Sequence, residues 1–258
     1  MPTALGAKVV AVQKYRLKTL NVHDDWLVLV IQGRKVLHAA QTQIEARTGQ
    51  CVLIARGSQW DVVNDPKGNK HYEAVALSFP SDIVQKFNDT HPFAALSDVD
   101  SARVLAHDEV LQEAVMRMLA PMAEGVSQMV LTHRVMEVLL LLALKGWRFR
   151  SVAELSWVER VRRMVAQSPQ ANWSVDVLCE AFHMSESSLR RRLKDSGLTL
   201  ASLVREVRLE LALGMLQTTT LPVGEVALRC GWDSHSRFSA AFTARWGVSP
   251  STVRGSAV

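Results

Sequence analysis

Three arginines and a lysine, Arg190, Arg191, Arg192 and Lys194, follow the adjacent serines Ser187 and Ser188. Guanidinium forks can grip the edge of guanine bidentately and bind phosphate, and serine hydroxyls reach base or phosphate oxygens. That chemistry requires the side chains on one face of an element slim enough for a groove. At 100° per residue, a helix through this stretch places Ser187, Arg191 and Lys194 on one face and Ser188, Arg190 and Arg192 on its flanks. Leu189 and Leu193, four apart, then share the buried face. Such a helix, apolar on one stripe and cationic on the other, suits the major groove. A triple arginine by itself reads more often as a solvated helix face, so its surroundings decide.

Those surroundings read as two helix-turn-helix units joined by one connecting helix, from Trp173 to Arg254. In the first unit a short helix, Val175–Phe182, carries Val177, Leu178 and Ala181 on one face and breaks at His183-Met184-Ser185. Ser185 is a sound N-cap for the second helix, with the acid Glu186 directly after it. After a helix over Leu200–Gln217, Leu221-Pro222 leads into VGEVALRCGW, which ends at Gly231. A turn at Asp233-Ser234 precedes HSRFSAAFTARWG, where Phe238 and Phe242 are the buried pair and Gly247 stops the helix as a C′ glycine. Ser249-Pro250 prevents continuation. Two units in tandem, with matching breaks, carry far more weight than one.

The C-terminal third of the chain resembles the DNA-binding domain of the AraC/XylS transcription regulators. The stretch Val223 to Arg254, VxxVAxxxGWxSxSRFxxxFxxxWGVSPSxxR, is similar to that family's signature, and Arg205 to Leu216 matches its linking helix. Carried over by position, the base- and phosphate-contacting places fall on Ser187, Arg190, Arg191 and Lys194 in the first unit, with Ser188 beside them. In the second they fall on His235, Ser236, Arg237 and Ala240. Ala240 and Thr243 depart from the family's usual Arg and Lys, which leaves the second recognition helix with a neutral centre. The resemblance implies binding to double-stranded promoter DNA, activation through RNA polymerase and a bacterial source.

Bulk properties agree with a soluble globular protein: 48% of the 258 residues are apolar and 21% charged. The formal charge of +5 is mild for a nucleic-acid binder and decides little. Charge chemistry says more, because 12 of the 13 cations after residue 150 are Arg, the better fork for phosphate and base edges. Cys51, Cys179 and Cys230 form no CxxC pair and read as reduced structural thiols. The N-terminus, with Lys8, Lys14, Arg16 and Lys18 among short apolar runs, has no signal-peptide core, and Val138–Leu144 is too short to span a bilayer. The expected location is the cytoplasm, with no membrane partner.

Residues 1 to about 95 read as β-rich, with strands over Trp26–Ile31, Arg34–Ala40, Thr42–Ala46, Cys51–Ala55, Trp60–Val63 and Tyr72–Phe79, a spacing that suggests a small barrel or sandwich. Gly49 to Asn64 resembles the second cupin motif, with Gly49, Gly57 and Asn64 in register. Ala55 replaces its Pro and Trp60 its metal-binding His, and only His38 stands near the place of the first motif's His-x-His. Metal catalysis needs several convergent ligands, so neither a metal, a cofactor nor catalytic residues are expected. A metal-free cupin fits a sensory pocket, expected between the strands around Trp26–Ile31, Cys51–Ile54 and Val75–Phe79. The expected input is a small-molecule effector or another signal, a fatty acid being one option that the family resemblance offers and a ligand-free regulator another.

Beyond Asp108 the period turns helical. Asp108–Glu124 places Val110, Leu111, Ala114, Val115, Met118 and Leu119 on one face, and Ser127–Leu144 is apolar nearly all round, either internal core or a homodimer interface. Gly146–Ser156 is the candidate boundary. The expected fold is α+β in two domains: a cupin-like β-barrel with two following helices over 1–147, and an all-α DNA-binding domain with two helix-turn-helix units and a linking helix over 156–258. The expected function is that of a non-enzymatic, sequence-specific transcription regulator. The alternatives are a metal-free cupin small-molecule binder with an accessory helical domain, and an architectural DNA binder, which would want a denser Lys-rich surface.

Overall fold

The computed structural model describes residues 6–40, 42–93, 95–119, 127–151 and 155–254. Its front half is built on two antiparallel sheets. One runs in the order β1 (Gly6–Ala11), β8 (Tyr72–Phe79), β3 (Asp25–Gln32), β6 (Cys51–Ile54), β10 (Ala102–Leu105). The other runs β2 (Tyr15–Asn21), β7 (Gln59–Asp65), β4 (Arg34–Ala39), β5 (Thr42–Arg47). A short parallel pair joins β9 (Ser97–Asp98) to β11 (Trp147–Arg148).

The five-stranded sheet is covered on both faces, and this explains the near-continuous apolar run of β3. Val28, Val30, Val52, Ile54, Ala74 and Ala76 point between the sheets, toward Leu17, Leu37, Ala46, Trp60 and Val62. Leu27, Leu29, Cys51, Leu53, Val75 and Leu77 point the other way, under α1 (Ser81–Thr90), α2 (Glu109–Arg117) and α3 (Gln128–Leu144). A strand buried on one face alternates; a strand buried on both does not. The strands expected to line an effector cavity are therefore packed on each side.

Several expectations are corrected. Residues 6–21 form β1 and β2: Tyr15 and Leu17 turn inward while Arg16 and Lys18 are exposed, so the cations there are the outer row of an ordinary strand. The stretch after β8 holds a helix, α1, whose Val84 and Phe87 enter the core. In α2, Val110 is exposed while Leu111, Ala114 and Val115 are buried, because the sheet takes only a narrow stripe of the helix. The helix expected to run to Glu124 ends at Arg117, and residues 120–126 lie outside the described ones. In α3, Val135, Val138, Leu139 and Leu142 are buried on the sheet, whereas Met129, Val130 and Leu144 are exposed. Its polar Arg134 and Glu137 reach α2, Arg134 donating to the carbonyl of Arg117 at 2.7 Å.

The rest is helical: α4 (Trp157–Gln167), α5 (Val175–Ala181), α6 (Glu186–Asp195), α7 (Leu200–Thr218), α8 (Val223–Arg229), α9 (His235–Trp246) and α10 (Pro250–Val253). Ser249 and Pro250, which end α9, also start α10: Ser249 caps it and Pro250 takes its first turn, where no N–H is needed. The halves share one core, in which Leu209, Ala212, Leu213 and Leu216 of α7 join the residues between the sheets. No described helix is long and apolar enough to cross a membrane.

Candidate nucleic-acid interface

The first unit is set by its caps. Ser174 accepts from the Val177 amide at 3.3 Å to start α5. His183, at φ +50°, makes the turn, and Ser185 accepts from the Ser188 amide at 3.3 Å to start α6. Leu189 and Leu193 are buried with Val161, Leu178 and Leu203, which leaves Ser187, Arg190, Arg191, Arg192 and Lys194 exposed and Ser188 half-buried. The serine hydroxyls are partly engaged, since Ser185 Oγ lies 3.0 Å from both Ser187 Oγ and Ser188 Oγ. Arg190 is paired with Glu186 one turn back, its Nε donating at 2.7 Å. Among the described residues, Arg191, Arg192 and Lys194 have no carboxylate partner. The exposed face of α6 is thus a cluster of cations of which three are unpaired.

In the second unit Ser234 caps α9, accepting from the Arg237 amide at 3.3 Å, and Gly247 at φ +76° ends it. Phe238, Phe242 and Trp246 are fully buried, while His235, Ser236 and Arg237 are exposed, as are Ala240 and Thr243. The neutral centre of this helix is therefore a surface feature.

Contacts remote in sequence, which no local pattern signals, hold these helices in place. Arg245 near the end of α9 donates from Nε to both carboxylate oxygens of Glu206 on α7, at 2.7 and 2.9 Å. It also donates to the carbonyls of Lys18 and Thr19 in β2, at 3.2 and 3.0 Å. Thr19 lies at φ +50°, a conformation a β-branched residue rarely adopts, where the β2–β7 register shifts. Gln217 of α7 donates to the Tyr15 hydroxyl at 2.9 Å. His23 sits between Glu159 of α4 and Glu210 of α7, its ring nitrogens 3.0 and 3.2 Å from their carboxylates. Burial alone would lower the His23 pKa, but the two carboxylate hydrogen bonds win and raise it to about 9, so the ring is a cation at neutral pH. Arg163 reaches Asp24 and Ser81 from the same side.

The front half also holds a polar chain inside its sandwich. Lys35 donates to Asn64 Oδ1 at 3.0 Å, and Asn64 donates to the Tyr15 hydroxyl at 2.8 Å, which leads on to Gln217. Burial pulls the Lys35 ammonium down to about 8, and no carboxylate pairs with it among the described residues. The ring of Tyr72 lies 6.0 Å away, and the Tyr72 hydroxyl is buried without a partner. A largely buried cation held only by a neutral amide, and a buried hydroxyl with no partner, are both costly. Of two open clefts, the second includes Tyr15 of this polar chain. One of about 450 Å³ sits beside α1, lined in part by Asp82, Lys86 and Arg163. The other, about 540 Å³, lies along the four-stranded sheet and includes Arg16, Arg34 and His38.

Residues 178–256 match a helix-turn-helix domain, and residues 25–151 match the ExsA N-terminal regulatory domain. The urease operon transcriptional activator of Escherichia coli is 29% identical over 96 residues, 37% of this chain and 32% of that protein. The HTH-type transcriptional activator RhaR of Pectobacterium atrosepticum is 31% identical over 124 residues, 45% of this chain and 44% of that protein. The chain is an AraC-family protein. Its match covers less than half the length of those two relatives. Among solved structures, apo ToxT from Vibrio cholerae aligns with a TM-score of 0.65 at 15% identity, over 96% of both chains. ToxT bound to an unsaturated fatty acid aligns at 0.63, also at 15% identity, over 96% of this chain and 93% of that one. At such identity the likeness is one of fold: a β-rich front and a helical helix-turn-helix domain, as in this AraC-family chain.

Proposed function

We propose that this protein binds promoter DNA through both helix-turn-helix units and activates transcription through RNA polymerase. The contacting residues are Ser187, Ser188, Arg190, Arg191 and Lys194 in α6 and His235, Ser236 and Arg237 in α9. The observation that carries this reading is the exposed cationic face of α6, with Arg191, Arg192 and Lys194 free of carboxylate partners among the described residues, repeated in weaker form on α9. Arginine forks left without carboxylates are poised for guanine edges and phosphates. Division into a sensory part over 1–147 and a DNA-reading part over 156–258 belongs to the same reading.

The front part takes a small effector with an anionic head. Lys35 offers a cation without a carboxylate partner and Tyr72 a hydroxyl without a hydrogen bond among the described residues, and Asn64, Tyr15 and Gln217 link Lys35 to α7. An amphiphilic carboxylate, such as a fatty acid, matches that chemistry and the apolar surroundings. The deciding experiment maps where the protein binds across its own genome, with Arg191→Ala as control and with fatty acids added or withheld. Discrete enrichment upstream of genes, lost in the variant, is expected. Uniform or absent enrichment rules the DNA reading out.

A further inference from the structure

Two recognition helices in one chain read two groove segments in register only if something holds them at fixed separation. One base pair changes that separation by about 3.4 Å and rotates the second segment by about 35°. A hinge between the units would blur such a step; a stiff joint would enforce it.

The joint centres on Arg208, midway along α7. Its Nε donates to the carbonyl of Pro169 at 2.7 Å and its Nη2 to the carbonyl of Ala171 at 3.1 Å. Both carbonyls lie in the loop between α4 and α5, which leads into the first unit. Trp173 closes that loop on itself, Nε1 donating to the carbonyl of Ser168 at 3.0 Å. The same guanidinium also touches the second unit. A Cβ on Gly231, in the turn between α8 and α9, would lie 2.9 Å from Arg208 Cζ and 2.5 Å from the Pro169 carbonyl oxygen. Gly231 is at φ +77°, so no L side chain fits by conformation or by space. The approach loop of one unit and the turn of the other thus meet at one planar fork. The acids two positions to either side on α7 carry the same frame outward, Glu206 to Arg245 of α9 and Glu210 to Arg162 of α4.

We propose that Arg208 is a positioning residue that fixes the two recognition helices relative to each other, and so sets how many base pairs must separate the half-sites this protein accepts. This rests on both units reading DNA. A lysine could not replace it, since a point charge cannot hold two carbonyls in a fixed plane.

The test uses the full chain and the operator found by genome mapping, with half-sites at native separation and with one base pair inserted or deleted. The parent is expected to lose about tenfold or more in affinity with either change, and Arg208→Ala less than about threefold, flattening the profile. Arg208→Lys should fall between them and covers the case in which the alanine variant does not fold. Arg205→Ala, exposed on the same helix, should keep the parent profile. Uniform weakening of both Arg208 variants, with the spacing ratios unchanged, would mean a purely structural role and overturn the proposal. A parent that ignores spacing would overturn the two-unit reading itself, and the proposal with it.

Discussion

Replacing Lys35 by Met should stabilise the protein and deafen it. Inside the sandwich the ammonium falls from 10.5 to about 8 through burial, which at 1.36 kcal/mol per pH unit is roughly 3 kcal/mol against the charged form. The residue keeps some exposed surface, so water screens part of this, and the hydrogen bond to Asn64 returns about 1 kcal/mol that Met forfeits. A net gain of about 2 kcal/mol remains, which for a chain of this size raises Tm by roughly 4–8 °C. The sign in pH follows from the lowered value. Between about 8 and 10.5 the unfolded chain holds the lysine proton and the folded one does not, so the lysine's cost disappears as pH rises through that window. Urea denaturation of parent and variant at pH 7 and pH 10, with unchanged slope, isolates the effect, because the advantage of Met should shrink at the higher pH. A reporter fused to the operator should meanwhile stop responding to fatty acid. If Lys35→Met lowers Tm at pH 7, or its advantage is the same at both values, the ammonium is satisfied where it stands and the effector argument fails with it.

Arg191→Ala should weaken operator binding by about 1–3 kcal/mol, whereas Ala240→Arg should leave affinity unchanged or tighten it, as measured by fluorescence anisotropy; parent-like binding by the first variant would dismiss the α6 assignment. The His23 cation bridges Glu159 and Glu210, and its raised value makes that bridge complete below pH 6.5 and lost as pH climbs through about 9. Hydrogen exchange in α4 and α7 should therefore quicken between pH 7 and 10 beyond the intrinsic rate in the parent, but not in His23→Gln; equal pH dependence in both would end this assignment. On α3, Met129, Met136, Leu140 and Leu144 form a stripe at helical spacing that is exposed or half-buried. A second copy covering it would make the chain a homodimer, which sedimentation of the full chain should show and Leu144→Glu should abolish; a parent monomeric at every concentration removes the dimer.

The helical half was legible because its signals are local. Ser185, Ser234 and Gly247 announce where helices begin and end, and Leu189, Leu193, Phe238 and Phe242 announce which face is inward. The first two strands are less legible: Tyr15, Arg16, Leu17 and Lys18 alternate as a half-buried strand should, but the alternation is only four residues long and its outer row is cationic. Val84 and Phe87, three apart after Pro80, would have revealed α1 by the same reasoning. The partners of Glu206, Gln217 and Lys35 carry no comparable signature. Tyr15 and Gln217 lie 202 positions apart, and only the closed fold makes them neighbours.

The unbroken core between the sandwich and α7 has a thermodynamic corollary. Leu209, Leu213 and Leu216 belong to one buried cluster with Val30, Ala74 and their neighbours, which gives a bias at one end a packed route to the other. Coupling of that kind is reciprocal. If an effector changes the affinity for an operator by some factor, the operator must change the affinity for the effector by the same factor. Each promoter would then tune the ligand concentration to which its own bound copy responds, and two genes controlled by this one protein could switch at different levels of the same signal.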